Sequence, residues 1–537
     1  MIKKIYIHDW LVLKPYDILS TTDSYYLKLS NEVKKNILND KHAQKLHSYI
    51  DDKEINILSC FLTCYFEDII SGTNIWNSFV RIHKRLYKKP LPFFGGDNYC
   101  EEEINSQDIS FLIWYFLNTI QDEKFILPFQ EFLIQMGDAV LEVFEDEWEY
   151  APENKRLISF FQLDETADFY DARNYMEKIL FKSYLFNYDT ADDLVSSEIE
   201  IIENYSDDEN ISTFLTEGRD FKTHTSHTRI LSLLGKEWAA EILGPQNPLS
   251  KSFLNMSPRV IGYFLYKGQD HTDIFIEHIA SGKKFKLTKK SFDHHKLLVE
   301  IDTIMRMGIV KWMDEWWFSG VYVQTPFDAD LVLDEKNSLK SRQAVNFLDH
   351  QKMNINDILQ GQLDAFLEFN NGSQIAFIPC NQIDNFVDGY MKYYNAKLEL
   401  SAKEILETEE RTRRDGFFGF EEEPSIFSTS TNTGLVFFNP KSGCEIALEI
   451  NSAFPLDNNP YCEKELSAQH VLHLLMNENF STELVMFWLQ NCENDLSYFK
   501  TDIGKKYFDD LDFLLRFWKK SNYHSKPLIT ITGQDQG

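Results

Sequence analysis

At 537 residues the chain is about three to four times a ~150-residue domain unit, which excludes a single small module. Hydrophobic residues at 43% and aromatics at 15% supply apolar surface for more than one core, excluding global disorder and a collagen-like chain. Lys and Arg number 54 against 84 Asp and Glu, and the net charge of −30 repels phosphate backbones over the surface as a whole, so a generic DNA-coating role is disfavoured.

Helical spacing begins at Thr22 or Asp23, a cap for a helix in which Tyr26, Leu29, Val33 and Ile37 recur. The same pattern returns at 54–70, 74–88, 106–121 and 125–148, separated by Ser71-Gly72, Pro90, Pro92 and Gly95-Gly96, and predicts a helical domain over 1–182. From Ser183 to Glu217 there is no Lys or Arg and ten Asp and Glu, which reads as an acidic boundary or loop; 183–257 is taken as this segment and a connecting helix. After Pro258 the pattern alternates. IFIEHI and KFKLT flank Ser281-Gly282, and IVKW and WWFSGVYVQ flank Met313-Asp314-Glu315, so two hairpins define a small antiparallel β domain over 258–330. The remainder, 331–537, reads as α+β. Helices are expected at 338–349, 355–369 and 381–397, with a strand at Gln374 to Ile378. A capping box at Ser401 and Glu404 opens a further helix, with Glu407/Arg411, Glu409/Arg413 and Glu410/Arg414 pairs at i,i+4. A third hairpin spans Asn439 to Gly443, followed by helices near 463–477, 481–491 and 507–519 and a last strand, PLITIT. The predicted fold class is multi-domain α+β.

Seven cysteines, at 60, 64, 100, 380, 444, 462 and 492, are an odd number scattered along a long chain, which points to a reducing cytoplasm rather than a disulfide framework. The opening lysines resemble a signal n-region, but His8, Asp9, Lys14 and Pro15 interrupt any apolar run. The longest apolar stretch, Ile109 to Leu117, is half of a bilayer-spanning helix, so no membrane partner is expected.

The stretches DSYYLKLSNEV (23–33), EINSQDISFLIWYFLN (103–118), EWWFSGVYVQTPF (315–327), LDEKNSLKSR (333–342) and RRDGFFG (413–419) occur together and in order. With them the chain resembles an uncharacterised bacterial family, a domain of unknown function. The resemblance implies a bacterial cytoplasmic protein and brings neither a reaction nor catalytic residues.

The common nucleotide signatures are missing: the Gly-Lys pairs at Gly235, Gly282 and Gly504 have no Gly five residues upstream, and no GxGxxG follows a strand. HExxH and GxSxG are missing too. No cofactor is expected. Cys444, Cys462, His470 and His473 come nearest to a zinc set, but their spacing matches no compact knuckle and core packing is favoured. Cys60 and Cys64 read as small hydrophobes on an apolar helix. His224, His227 and His271 lie in an order that does not make paired HxT phosphoesterase motifs.

Three clusters carry candidate chemistry. Asp328, Asp330, Asp334 and Glu335 offer hard oxygen ligands for metal-assisted phosphoryl chemistry, against the alternative that Asp334 or Asn337 caps a helix entering at Ser338. Arg81, Lys84, Arg85, Lys88 and Lys89 could seat a phosphate or the acidic 183–217 segment, although basic residues also belong at a helix C-terminus. Trp312, Trp316, Trp317 and Tyr322 would form an aromatic platform if their strand leaves one face uncovered; Trp316 and Trp317 cannot share one core. With no complete catalytic set, the leading expectation is a non-enzymatic, acidic protein-interaction or regulatory protein with a protein partner. A metal-dependent hydrolase or nuclease at Asp328–Glu335, in a bacterial defence setting, is the alternative. A nucleic-acid-associated module, disfavoured by net charge, is third.

Overall fold

Capping chemistry and apolar spacing place the first helices where the sequence puts them: α1 (Asp23–Asn39), α2 (Asp52–Ser71), α3 (Ile75–Tyr87), α4 (Ser106–Ile120) and α5 (Glu131–Glu147). Asp51 accepts from the backbone N–H of Lys53 and Glu54, Glu54 reaches back to the Asp51 N–H, and Gly72 closes α2 at φ 62°. Helices α2 and α4 are buried over most of their surface, including the polar Ser59, Thr63, Glu67 and Asp68 of α2, so they form the centre of the unit rather than its skin. A Cβ on Gly137 of α5 would lie 2.2 Å from Ser110 Oγ and 2.9 Å from the Ser106 carbonyl of α4, so only glycine permits this approach.

The computed structural model describes the chain except residues 1–3, 40–42, 97, 122–125, 207, 339–340, 342–344, 346–351, 399–400, 402, 404–405, 407–431, 493–506 and 527–537. It divides into two compact units, Met1–Met256 with Thr501–Phe513 and Ser257–Lys500 with Leu514–Gly537. In the first, α6 (Phe169–Lys182) follows an Asp168 cap. Most of the described part of the acidic 183–217 stretch is then helical, correcting its reading as a loop: α7 (Asp192–Tyr205) pairs with α8 (Ile211–Thr225), and α9 (Gly235–Leu243) follows with Trp238 buried. Apolar residues at helical spacing outweigh the run of like charge here.

The second unit opens with β1 (Val260–Gln269), β2 (Asp273–His278), β3 (Lys284–Thr288), β4 (Ile304–Trp312) and β5 (Glu315–Thr325). Both expected hairpins form, and the strands close a barrel in the order β1-β2-β3-β5-β4. Strand β1 is shared: its first half pairs with β4 (Val260↔Ile309 to Leu265↔Ile304) and its second with β2, across a bulge between Tyr266 and Gly268. All ladders are antiparallel except β3·β5, joined through Leu287↔Trp316, which closes the barrel. Inside lie Val260, Phe264, Ile274, Ile276, Phe285, Leu287, Met305, Met307 and Ile309.

Beyond the barrel come α10 (Ala329–Asn337), α11 (Lys352–Phe369), β6 (Ile375–Pro379), α12 (Ile383–Lys397), β7 (Thr433–Asn439) and β8 (Gly443–Leu448). The antiparallel sheet β6-β7-β8 shares a core with α11 and α12 through Phe366, Ile383, Tyr390, Val436 and Phe438. Helices α13 (Ser467–Met476), α14 (Thr482–Asn491) and α15 (Leu511–Lys519) match the expected positions. The fold is α+β. The expected helices at 338–349 and after Ser401, and the PLITIT strand, lie largely or wholly outside the described residues. Among the described residues no single helix is long and apolar enough to cross a membrane; α2 and α3 meet both requirements only as a pair, bent by 86°.

Candidate functional site

In a closed barrel alternate residues point outward, so each strand has an outer row whose fate depends on what covers it. On β1 and β4 the outer row is covered: Leu265, Ile279 and Ile304 pack with Leu331 and Val332 of α10. Farther along, Val310 pairs with Trp317 in the outer register, and both are buried, as is Trp312. The outer row of β2 and β3 is different. It consists of Asp273 opposite Thr288, Phe275 opposite Lys286, and Glu277 opposite Lys284. Both lysines are exposed, Phe275 is half-buried between them and the barrel, and neither lysine has an ion-pair partner among the described residues.

The margins of this face are held firmly. In the β1–β2 loop, Asp270 accepts from the backbone N–H of Thr272 at 2.8 Å and of Asp273 at 2.7 Å, and these bonds hold its carboxyl below the usual carboxylate range. The Lys289 N–H donates to the Thr272 carbonyl at 2.8 Å, and Lys289 Nζ donates to the Asp270 carbonyl, tying the loop to the end of β3. Lys290 pairs with Glu315 at 2.7 Å, and the tight β4–β5 turn places Met313 at φ 52°. Beneath the face, His278 fills the barrel under Gly262, where a Cβ would come 2.5 Å from Nε2. Burial pushes the His278 imidazole down to about 4, while Nδ1 lies 2.9 Å from Ser281 Oγ.

Five lysines fall within residues 283–290, at 283, 284, 286, 289 and 290. Over 257–326 ten Lys and Arg face eight Asp and Glu, so the barrel carries a small positive excess in a chain of net −30. In the sequence this segment reads only as a hairpin arm. Strand alternation within the lysine run puts Lys284 and Lys286 on one side, without telling whether that side is covered.

The residues singled out from sequence are placed elsewhere. Trp316 packs into the barrel core, 4.8 Å edge-on to Phe285, and Tyr322 stacks on His294 at 5.3 Å. With Trp312 and Trp317 at 1% and 5% exposure, the tryptophans offer no open platform, which corrects that expectation. Alternation divides them between the two sides of the strand, and both sides are covered.

The basic run is also committed internally, correcting its reading as a phosphate seat or a dock for 183–217. Glu241 of α9 takes Arg81 at 3.2 Å and Arg85 at 2.9 Å, side chains one helical turn apart on α3. Lys84 pairs with Glu101, Lys89 with Asp510 at 2.5 Å, and Lys88 Nζ donates to the Arg85 carbonyl.

The carboxylate cluster resolves as a helix start. Asp328 Oδ1 accepts from the N–H of Asp330 at 2.9 Å and of Leu331 at 3.2 Å, capping α10, while the helix that Asp334 or Asn337 was expected to cap, entering at Ser338, lies largely outside the described residues. Asp330 and Asp334 are exposed and Glu335 lies on the same helix. Among the described residues no three His, Cys, Asp or Glu side chains converge to hold a metal ion, so these four are not gathered as the alternative hydrolase reading requires. His470 Nδ1 accepts the Ser452 N–H at 3.1 Å, and His473 Nε2 lies 2.8 Å from Asn477 Nδ2. Cys60 and Cys64 are buried free thiols; burial pushes Cys64 up to about 12, out of range for thiolate chemistry.

A five-stranded closed barrel in the order β1-β2-β3-β5-β4, with β1 shared between two partners and a parallel β3·β5 pair, has the topology of the oligonucleotide/oligosaccharide-binding barrels. In that architecture the face of strands 2 and 3 and the β1–β2 and β4–β5 loops meet the ligand. Residues 4–262 match the model of a protein family of unknown function (DUF3843). The match takes in the resembling stretches at 23–33 and 103–118 and ends inside β1, so those at 315–327, 333–342 and 413–419 lie beyond it. No curated protein and no solved structure matches the chain.

Proposed function

We propose that this is a non-enzymatic recognition protein of the bacterial cytoplasm whose barrel binds single-stranded nucleic acid across β2 and β3. The observation that carries this reading is the outer row in which Phe275 lies beside exposed Lys284 and Lys286, on the side of the barrel left bare by α10. An aromatic side chain gives a base a face on which to stack, and unpaired ammonium groups track the phosphates; each stacked base is worth about 1–3 kcal/mol. Seven free cysteines fit a reducing compartment. Asp273 and Glu277 on the same face limit how much backbone charge it can follow, which favours a short segment of strand over a long duplex. The capping role of Asp328 and the internal pairing of the α3 cations weigh against the hydrolase and basic-helix readings.

The test is fluorescence anisotropy of a labelled oligothymidine, about 15 nucleotides long, titrated with full-length protein over a range of salt. Saturable binding that weakens with salt is expected. Phe275→Ala should lose about five-fold or more, and Lys284→Glu with Lys286→Glu at least about ten-fold. No binding at low salt, or equal affinity in the charge-reversed variant, refutes the assignment.

A further inference from the structure

We infer that α7 is a docking surface for a basic amphipathic helix of a partner protein. Leu194, Glu198, Ile201 and Tyr205 recur along one side of α7 and meet the rest of the first unit. Leu194 packs on Leu180 and Phe181, Glu198 pairs with Arg219 at 2.7 Å, and Tyr205 lies 4.7 Å from Phe214. Ile201 comes so near Gly218 that a Cβ there would sit 3.0 Å from Ile201 Cδ1. That side is satisfied.

A second apolar row, Val195, Ile199 and Ile202, lies next to it at i, i+4 and i+7, and these side chains are 51%, 49% and 46% exposed. Isolated exposed apolar residues are ordinary, but a row at helical spacing is the footprint that an amphipathic partner helix reads through its own i, i+3/i+4 and i+7 anchors. The row runs over about two turns, roughly 10 Å.

Charge selects the occupant. Asp192, Glu200 and Glu203 are exposed beside the row and have no cation partner among the described residues. They stand within the Ser183–Glu217 stretch, which holds ten acidic residues and no Lys or Arg. A second copy of the chain would bring the same carboxylates against them, and an anionic lipid surface would be repelled. Lys or Arg flanking the apolar anchors of a partner helix complement the row on both counts. It shares no residue with the barrel face, so the two readings stand or fall independently.

The experiment uses full-length protein and a fluorescein-labelled 18-residue peptide with Leu at heptad a and d positions and Lys or Arg elsewhere, read by anisotropy. Saturable binding is expected. A scrambled peptide of the same composition, and the variant Ile199→Ser with Ile202→Ser, should each bind at least ten-fold more weakly. Glu200→Gln with Glu203→Gln should weaken binding and flatten its salt dependence, whereas Glu463→Gln with Glu465→Gln, acidic changes in the second unit, should leave it unchanged. Circular dichroism and thermal melts confirm that the exposed-site variants remain folded. Lack of saturable binding to the wild type overturns the inference. So does equal affinity for the scrambled peptide or for the serine variant, or sedimentation showing a homodimer that the serine variant dissolves.

Discussion

A buried ion pair and a buried histidine show how individual side chains set this protein's tolerances. Lys14 and Glu67 form an ion pair at 1% and 0% side-chain exposure, with Lys14 over the Trp10 ring and Glu67 also accepting from Asn154 Nδ2 at 2.8 Å. Removing one member strands the other charge. Glu67→Ala should therefore destabilise the first unit by about 3–5 kcal/mol in urea unfolding, and Lys14→Met combined with Glu67→Leu should recover most of that loss. A double variant no better than the single would show that the pair is not the source. His278 acts through protons. Its imidazole is pushed down to about 4 from an ordinary 6.5, so between those values the unfolded chain binds a proton that the native barrel does not. Stability of the second unit should fall as pH drops from 6.5 towards 4, by up to about 3 kcal/mol, and level off below. Urea midpoints at stepped pH, with imidazole NMR reporting a neutral ring at pH 5, check this; a protonated His278 at pH 5 contradicts it.

At the scale of elements, the same residue type serves different ends according to where a helix begins. Asp328 looks like a metal ligand beside Asp330, Asp334 and Glu335, yet its carboxylate caps α10, the helix whose Leu331 and Val332 cover β1 and β4. Asp328→Ala should cost about 1 kcal/mol of stability, and Asp328→Asn almost nothing, because asparagine also caps well. Chemical denaturation of the three proteins distinguishes this from a metal site, in which asparagine would fail and added Mg²⁺ would stabilise the wild type. Helices α1 to α5 and the hairpins were legible because spacing, caps and turns are local properties. The helical state of 183–217 was not, because charge density masked the row through Leu194, Ile201 and Tyr205. The lysine face of β2 and β3 was missed for a related reason: alternation tells which residues share a side, but only the covering of the other sides reveals which stays bare.

For the whole molecule, charge is the dominant long-range quantity. A net −30 concentrates like charge on a folded surface, with the acidic α7–α8 region opposed by few cations and the barrel segment 257–326 carrying a slight positive excess. Raising salt from about 20 to about 200 mM shortens the screening length several-fold and should raise the thermal midpoint of the full chain. The same change should weaken oligonucleotide binding, so calorimetry and anisotropy on one preparation should move in opposite directions with salt. A midpoint that falls with salt would mean that attractive pairs such as Arg81–Glu241 and Lys89–Asp510 outweigh the repulsion.

The sequence by itself determined the α+β class, most helix and hairpin positions, the absence of the common nucleotide and hydrolase motifs, and the resemblance to an uncharacterised family, since each depends on neighbours within a few turns of chain. Tertiary structure alone decided that five strands close through a parallel β3·β5 pair, that Glu241 and Asp510 neutralise cations of the 81–89 run, and that Trp312 and Trp317 are buried and Trp316 packs on the barrel core while Lys284 and Lys286 are exposed. Those outcomes depend on contacts between residues far apart in the chain, where burial and pairing follow from which surfaces meet.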